Sequence, residues 1–356
     1  MDKALIMSFI ACPKDLFFTR NDGLDPRLGD LVSSANENMF GSSMRNETIE
    51  IELFKNLTSS YINNLNLNNN IYIMAGYPDD DGIRLNGGRP GARLGPDQVR
   101  RYLYRMTPGS IPFALAESKI QENTLQLFDL GNLSIGHESI HERQQSVQEF
   151  ALTWLNQGGH WLSVGGGHDY GYPDAAAFIE WAKTHSQHKP LIINFDAHLD
   201  VRSDQNGISS GTPFYRMLEK HGDLDFLEVG IQRHCNSQHH LDWIFKKNAR
   251  VIFMDDIIHS PEKLVTLVIE KIGDWLIHKR PVFLSVDIDA FSSAYAPGCS
   301  QSWATGLEPR EFLQCLDLLK ERLSVKALGI YEVSPLLDHD DRTSKLAAQI
   351  IHRILA

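Results

Sequence analysis

Eight short apolar runs recur along this 356-residue chain, and segments with the spacing of amphipathic helices separate most of them. Continuous apolar strands that alternate with helices are typical of a parallel sheet covered on both faces. The sequence therefore predicts an α/β fold with a central, mostly parallel sheet. The predicted strands are 71–77, 125–131, 161–167, 191–198, 226–232, 250–256, 281–289 and 325–333.

The intervening segments and the polar N-terminal part set the expected domain organisation. The stretch before the first strand is rich in asparagine and ends in "NNLNLNNN". We expect residues 1–70 to form an extension packed on or flanking the domain, with one helix around 46–63, and residues 71–356 to form a single domain. The predicted helices are 141–156, 174–185, 213–221, 261–278, 309–323 and 343–354.

The acidic balance of the chain narrows the kinds of partner. Asp and Glu number 45 against 34 Lys and Arg, which gives a net charge of −11. Such a surface disfavours nucleic acids and anionic membranes, so we expect a small-molecule substrate. The four cysteines have neither disulfide nor zinc-site spacing, which indicates a reducing, cytoplasmic compartment, and no run has membrane-spanning length.

Four of the predicted strands end in unusual polar sequences. These ends read "GGGHD", "FDAHLDVR", "VDID" and "YEVSP". Ligand sites in parallel α/β folds lie beyond the carboxyl ends of the strands. If the four ends are adjacent, one crevice collects seven side chains: His168, Asp196, His198, Asp200, Asp287, Asp289 and Glu332.

In the second of these ends, charged side chains recur at every second residue. Asp196, His198, Asp200 and Arg202 follow one another at this spacing. Side chains two apart in a strand point to the same face. We therefore expect the extended conformation to continue through Arg202 and to direct its longer side chain past the other three.

The two imidazoles and four carboxylates, leaving Glu332 aside, have the composition of a metal centre. They are too many for one tetrahedral zinc ion and suit two manganese or similar divalent ions. We expect Asp196 and Asp289 to bridge the ions, or Asp200 in place of one of them. Such a pair lowers the pKa of water and supplies hydroxide near neutral pH. The alternative is that each aspartate only caps the turn after its strand.

The segments "GGGHD", "FDAHLD" and "SVDIDAFSSAYAPG" resemble the three metal-binding motifs of the ureohydrolase superfamily, which comprises arginases, agmatinases and formimidoylglutamases. The resemblance covers roughly residues 70 to 356. It implies a three-layer α/β/α arginase-like fold, two manganese ions, and hydrolysis of a C–N bond at a guanidinium or amidine carbon. It also implies that Glu332 holds the cationic end of the substrate and that six residues are metal ligands: His168, Asp196, His198, Asp200, Asp287 and Asp289.

Two departures from the arginase motifs disfavour arginase itself. Arginases and agmatinases usually continue the third motif as Asp-Pro, where this chain has Ser292 and Ser293, and the loop after the second motif lacks the histidine of arginase. Both departures resemble formimidoylglutamases, which hydrolyse N-formimidoyl-L-glutamate to L-glutamate and formamide in histidine degradation. The segments "GYPDDDGIRLNGGRPGARLGP", "SSGTPF", "VGIQ" and "APGCS" strengthen this resemblance.

A substrate with one amidine and two carboxylates needs an acid at one end and donors at the other. Arg202 is expected to bind a carboxylate, because a guanidinium offers two parallel hydrogen bonds. Further substrate contacts are expected at Ser210 and Gly211 in "SSGTPF". Arg89 and Arg233 are weaker candidates for the second carboxylate.

Three alternatives stay open at this point. An agmatinase or another guanidine hydrolase would share the metal centre, but its substrate would give Arg202 no carboxylate to bind. A deacetylase of the related zinc fold would use only Asp196, His198 and Asp287. A metal-free binding protein would keep the fold alone. A homo-oligomer is also left open, and the histidines at 234, 239 and 240 are expected on a helix surface.

Overall fold

The computed structural model describes residues 8–20, 22, 24–34, 49, 50, 54, 71–109, 111, 125–276 and 279–356. Its strands are β1 (Ser8–Ile10), β2 (Ser33–Ser34), β3 (Ile49–Glu50), β4 (Ile71–Gly76), β5 (Gln126–Leu133), β6 (His160–Val164), β7 (Leu191–Phe195), β8 (Asp225–Ile231), β9 (Arg250–Phe253), β10 (Pro281–Asp287) and β11 (Ser324–Tyr331). They form one sheet in the order β3-β1-β5-β4-β6-β11-β10-β7-β8-β9, with β2 also paired to β5. From β5 to β9 all neighbours are parallel, whereas β1 runs antiparallel to β3 and β5. The predicted α/β fold with a mostly parallel sheet is confirmed.

Helices cover both faces of this sheet. They are α1 (Leu28–Leu31), α2 (Asp81–Leu85), α3 (Gly95–Leu103), α4 (Ile140–Asn156), α5 (Gly171–His185), α6 (Pro213–His221), α7 (Gln238–Lys246), α8 (Met254–His259), α9 (Leu264–Ile272), α10 (Pro309–Arg322) and α11 (Arg342–Leu355). One apolar core includes residues of α3, α9, α10 and α11, and a second includes residues of α4, α5, α6 and α7. On β7, Ile193 belongs to the first core and Ile192 to the second, as the two-residue period of a strand requires. The chain thus has three layers.

The predicted elements agree with the structure at most positions. All eight predicted strands are present, and so are the six predicted helices. The run 250–256 is a strand only as far as Phe253, because α8 begins at Met254. The sequence does not predict α2 and α3, which lie in a stretch whose glycines and prolines disfavour helix interiors.

The N-terminal part contributes strands to the central sheet. Ser8–Ile10 pair with β5 and therefore extend the central sheet. Ile49–Glu50 form a strand against β1, so the helix expected around 46–63 does not include these two residues. Phe54 is helical and wholly buried, and the rest of that predicted helix lies outside the described residues. The boundary at residue 70 stays a prediction.

The order of the strands decides where the polar strand ends meet. The four strands with polar ends, β6, β11, β10 and β7, are consecutive neighbours in the sheet and parallel to one another. Their carboxyl ends therefore lie side by side at one edge, as the sequence predicts. Among the helices in the described part of the chain, none is long and apolar enough to cross a membrane.

Candidate metal centre and active site

The loop after β6 brings His168 to this edge by close backbone packing. The Glu332 N–H donates to the Gly166 carbonyl at 2.8 Å, and the Gly167 N–H donates to the Asp79 carbonyl at 3.0 Å. A Cβ on Gly166 would overlap the Asp79 carbonyl oxygen. Glycine at this position therefore lets the segments that follow β4, β6 and β11 meet beside the ligands.

We expect Gly166→Ala to push this loop away from Asp79 and thereby to displace His168. The expected loss is about 1–3 kcal/mol of stability, as for other overpacked sites, together with weaker metal binding. Denaturant unfolding and metal content measure the two effects. Gly136→Ala is the matched control, because the three atoms nearest to a Cβ there belong to the movable carboxylate of Glu138. Equal effects of the two substitutions would contradict the assigned role of Gly166.

Three carboxylates surround one nitrogen of His168. Its Nδ1 lies 3.0 Å from Asp196 Oδ2, 3.0 Å from Asp200 Oδ2 and 3.2 Å from Asp287 Oδ2. The ligand atoms of these four residues all lie within 4.8 Å of one another. This spacing permits all four to bind one ion.

A second group of ligands adjoins the first. His198 Nδ1 lies 3.0 Å from Asp289 Oδ2 and 3.6 Å from Asp196 Oδ1. Asp196 thus contributes Oδ2 to the first group and Oδ1 to the second. Asp200 belongs only to the first group and Asp289 only to the second, so the geometry favours Asp196 as the bridging carboxylate and neither of the other two.

The expected extended run through Arg202 is wrong. The strand ends at Phe195, and the His198 N–H turns back to donate to Asp196 Oδ1 at 2.7 Å. Asp200 has a φ of 48°, in the left-handed region, so the backbone there is not extended. His198 and Asp200 consequently reach different ligand groups, whereas an extended strand would have placed them along one line.

The electrostatics of the centre reflect crowded, buried acids. Burial and then the neighbouring Asp289 raise the pKa of Asp287 well above its usual value. Burial also raises the pKa of Asp289 to about 6, against the lowering effect of His198. For Asp196 the effect of burial is outweighed by the adjoining imidazoles, His168 foremost, which lower its pKa. The centre therefore holds more negative charge than its own residues neutralise.

These residues fit a pair of divalent cations. His168 Nδ1 is buried and has no hydrogen-bond partner, although three carboxylates lie close to it. Its Nε2 lies 2.9 Å from Ser285 Oγ, and a proton shared there leaves the Nδ1 lone pair free for an ion. Oxygen-rich ligands with two imidazoles suit manganese or a similar ion.

A cavity of about 370 Å³ opens above these ligands. Glu332, 5% exposed, lies in its inner part. Its Oε1 accepts from the His168 N–H at 3.1 Å, and its Oε2 is buried without a hydrogen-bond partner. Burial, followed by the nearby Asp287, raises the pKa of Glu332 well above its usual value. A cationic group is the natural partner for such an oxygen.

Arg202 lines the outer part of the cavity and is exposed. Within the described part of the chain its guanidinium has no ion-pair partner. Its Cδ lies over Gly211, where a Cβ would come within 2.9 Å. Ser210 also lines the cavity, and its Oγ accepts from Asn86 Nδ2 at 3.2 Å. Arg202 and Ser210 therefore both line the cavity, whereas Gly211 makes room for the arginine.

Residues 72–356 match the model of the arginase family. The chain belongs to the arginase family. Among curated relatives of this arginase-family chain, the formimidoylglutamase of Staphylococcus epidermidis is 29% identical over 283 residues, which are 79% of this chain and 85% of the relative. The formimidoylglutamase of Staphylococcus aureus is 30% identical over 281 residues, 79% of this chain and 84% of the relative.

Solved structures give the same result for the fold of the arginase-family chain. Formiminoglutamase of Trypanosoma cruzi with Mn²⁺ is 25% identical and has a TM-score of 0.68, over 80% of this chain and 92% of that one. Formimidoylglutamase of Bacillus subtilis has a TM-score of 0.73 at 23% identity, over 95% of this chain and 93% of that one. The predicted arginase-like fold and the resemblance to formimidoylglutamases are confirmed.

Two other arginines of this arginase-family chain, Arg89 and Arg233, are not among the described residues that line the cavity. Arg89 donates from Nε to the Ser300 carbonyl at 2.9 Å and from Nη2 to the Cys299 carbonyl at 3.1 Å, so its guanidinium ties down a loop. Arg233 lies over the Phe253 ring at 3.6 Å. Binding of a substrate carboxylate by either arginine stays a prediction.

Sequence reasoning missed two features of this arginase-family site. His240, expected on a helix surface, is half-buried and lines the cavity, and burial and then Arg202 lower its pKa. Beneath the ligands, Asn194 Nδ2 donates to Glu228 Oε2 at 2.8 Å and to Asp196 Oδ2 at 3.3 Å. A signal for Glu228 was present, since an acid within an apolar strand needs a buried polar partner.

Proposed function

We propose that this arginase-family protein hydrolyses N-formimidoyl-L-glutamate to L-glutamate and formamide with two manganese ions. The chain is a hydrolase acting on amidine or guanidino C–N bonds. Formimidoylglutamate as the substrate is supported by the relatives called formimidoylglutamase. Manganese as the metal is supported by the T. cruzi structure with Mn²⁺.

The change of charge along the cavity carries the proposal. The inner end holds Glu332 and the acidic ligands, with Glu332 Oε2 free to accept from a cationic amidine. Among the described residues that line the cavity, the four acids are at most 12% exposed, whereas Arg202 is exposed and has no ion-pair partner among them, and His240 is half-buried. A molecule with an amidinium at one end and carboxylates at the other matches this pattern.

The residues of the chain divide the remaining work. One ion would be held by His168, Asp196, Asp200 and Asp287, and the other by Asp196, His198 and Asp289. Bound divalent ions would supply a nucleophile near neutral pH by lowering the pKa of water. Glu332, fixed by the His168 N–H, orients the amidine carbon over the ligands, and Arg202 restrains the far end of the substrate.

A product assay tests this proposal. The purified protein, loaded with manganese, is given formimidoylglutamate, arginine, agmatine and guanidinobutyrate, and the formamide and urea released are measured. We expect the highest kcat/KM with formimidoylglutamate. Urea release from agmatine at a higher kcat/KM would establish the agmatinase alternative instead. A protein that binds no metal and releases neither product would be the binding protein on the same fold.

The substitution Arg202→Ala is expected to weaken binding of a carboxylate-bearing substrate. The lost charge-assisted contact is worth about 2–3 kcal/mol, hence roughly 30- to 150-fold in kcat/KM, mainly through KM because Arg202 lies far from the reacting carbon. An amidine without carboxylates should be affected little. Arg101→Ala, which removes an exposed arginine of α3, is the control. Equal losses with both substrates would mean that Arg202 supports the loop and not the substrate.

A further inference from the structure

We propose that Asp174, on α5, is a positioning residue that sets the orientation of His168 and Glu332 through Tyr331. The proposal rests on the function proposed above, because it concerns how the metal ligand and the amidine-binding acid are held. Asp174 lies at a distance from the cavity and is not among the residues that line it. Its effect on the site is therefore indirect.

Asp174 is the centre of a buried hydrogen-bond cluster. The carboxylate is 1% exposed and accepts four hydrogen bonds from neutral side chains. Within the described residues no cation forms an ion pair with it. Such a buried acid costs more than an apolar cluster of equal size, so its hydrogen bonds are best explained by the geometry that they impose. The donors are Tyr77 (2.7 Å) and Trp161 (2.9 Å) to Oδ1, and Ser163 (2.6 Å) and Tyr331 (2.6 Å) to Oδ2.

Tyr331 connects this cluster to the metal centre. Its ring stacks on the His168 imidazole, with centroids 4.9 Å apart and planes 23° apart. The ring packs closely on two glycines: a Cβ on Gly165 would lie 2.5 Å from it, and a Cβ on Gly329 would overlap its hydroxyl. In this position the hydroxyl donates to Asp174.

This ring position fixes the imidazole of His168 on one face. Phe214 contacts the same imidazole edge-on at 5.2 Å, and Ser285 Oγ meets its Nε2. With these three contacts, Nδ1 faces Asp196, Asp200 and Asp287. Outer-shell groups that orient a ligating imidazole in this way tune its metal affinity.

Tyr331 also determines where the next residue lies. Glu332 has a φ of 65°, and its N–H is held by the Gly166 carbonyl. A shift of the tyrosine would therefore move Glu332, the acid that faces the amidine in the proposed pose. Asp174 thus acts on a metal ligand and on a substrate-binding residue through one side chain.

Two tyrosine variants separate positioning from general stability. Tyr331→Phe and Tyr77→Phe each remove one hydroxyl donor from Asp174 and keep the ring, but the Tyr77 ring stacks on Tyr170 at 4.7 Å and not on His168. The readouts are the Mn²⁺ affinity of the metal-free protein, measured by competition with a chelator, its melting temperature, and KM and kcat for formimidoylglutamate.

We expect both variants to lose similar thermal stability and only Tyr331→Phe to lose Mn²⁺ affinity, by about 10-fold. Asp174→Asn, which retains one acceptor oxygen, should lower the affinity by up to about 100-fold. If both tyrosine variants bind Mn²⁺ as tightly as the wild type does, the inference is overturned, whether or not Asp174→Asn folds. A wild-type protein that binds Mn²⁺ but hydrolyses none of the amidines would instead overturn the proposed function.

Discussion

Replacing Asp196 by alanine is expected to remove both metal ions and to lower kcat/KM by more than about 1000-fold. Mutation of an outer partner of a metal ligand typically lowers metal affinity or activity by 10- to 100-fold. Asp196 is itself a proposed ligand and contributes an oxygen to each of the two ligand groups. The loss should therefore exceed that of any single unshared ligand. Metal analysis of the purified variant, with turnover of formimidoylglutamate, measures both effects.

Substitution of a ligand that belongs to only one group should remove only one ion. Asp200→Ala should weaken only the ion held with His168, and Asp289→Ala only the ion held with His198, so each variant should retain about one ion per chain. Asp223→Ala is the control, because this aspartate is 75% exposed and pairs only with the exposed Lys189. Two ions and near-normal turnover in Asp196→Ala would show that the centre is assigned wrongly.

The second large effect is expected for Glu332→Gln. The amide keeps the size of the side chain and an acceptor for the His168 N–H, but it cannot balance the charge of an amidinium. Removing one partner of a buried ion pair costs about 3–5 kcal/mol, which predicts a fall of more than about 100-fold in kcat/KM. Kinetics with formimidoylglutamate across its KM provide the measurement.

The same substitution should leave the folded protein intact. Burial and Asp287 already raise the pKa of Glu332, so a neutral side chain there relieves repulsion and should not lower the melting temperature. Metal content should also be unchanged. Glu321→Gln, on the exposed side of α10, is the matched control. A loss of metal in Glu332→Gln would mean that this acid is itself a ligand.

The grouping of the candidate ligands follows from the sequence, because side chains at the carboxyl ends of parallel strands meet at one edge of the sheet. Asp196 and Asp287 follow apolar runs that can only be buried strands, and the layered fold brings such ends to one edge. The sequence does not show that the strands with polar ends are immediate neighbours, because the order of strands in a sheet depends on long-range packing. The structure gives that order as β6, β11, β10 and β7.

Local backbone reversals and side-chain partners are less predictable. The left-handed conformation of Asp200 has no signal in a two-residue repeat, and together with the end of the strand at Phe195 it separates His198 and Asp200 into different groups. Arg89 looked like a substrate contact in a glycine-rich loop, yet the backbone carbonyls that bind it belong to residues more than two hundred positions away. Such contacts follow from the tertiary fold.

The position of β11 has a consequence for how the active centre is assembled during folding. Of the described strands this one comes last in the sequence, and it lies between β6 and β10, so it joins the unit β5-β4-β6 to the unit β10-β7-β8-β9. The first unit supplies His168, and the second supplies the other five proposed ligands. Until residues 324–331 have been synthesised and inserted, both units have an unpaired inner edge, which is prone to aggregation. Metal acquisition should therefore follow complete synthesis of β11, and nascent chains that stop before it should bind neither ion tightly.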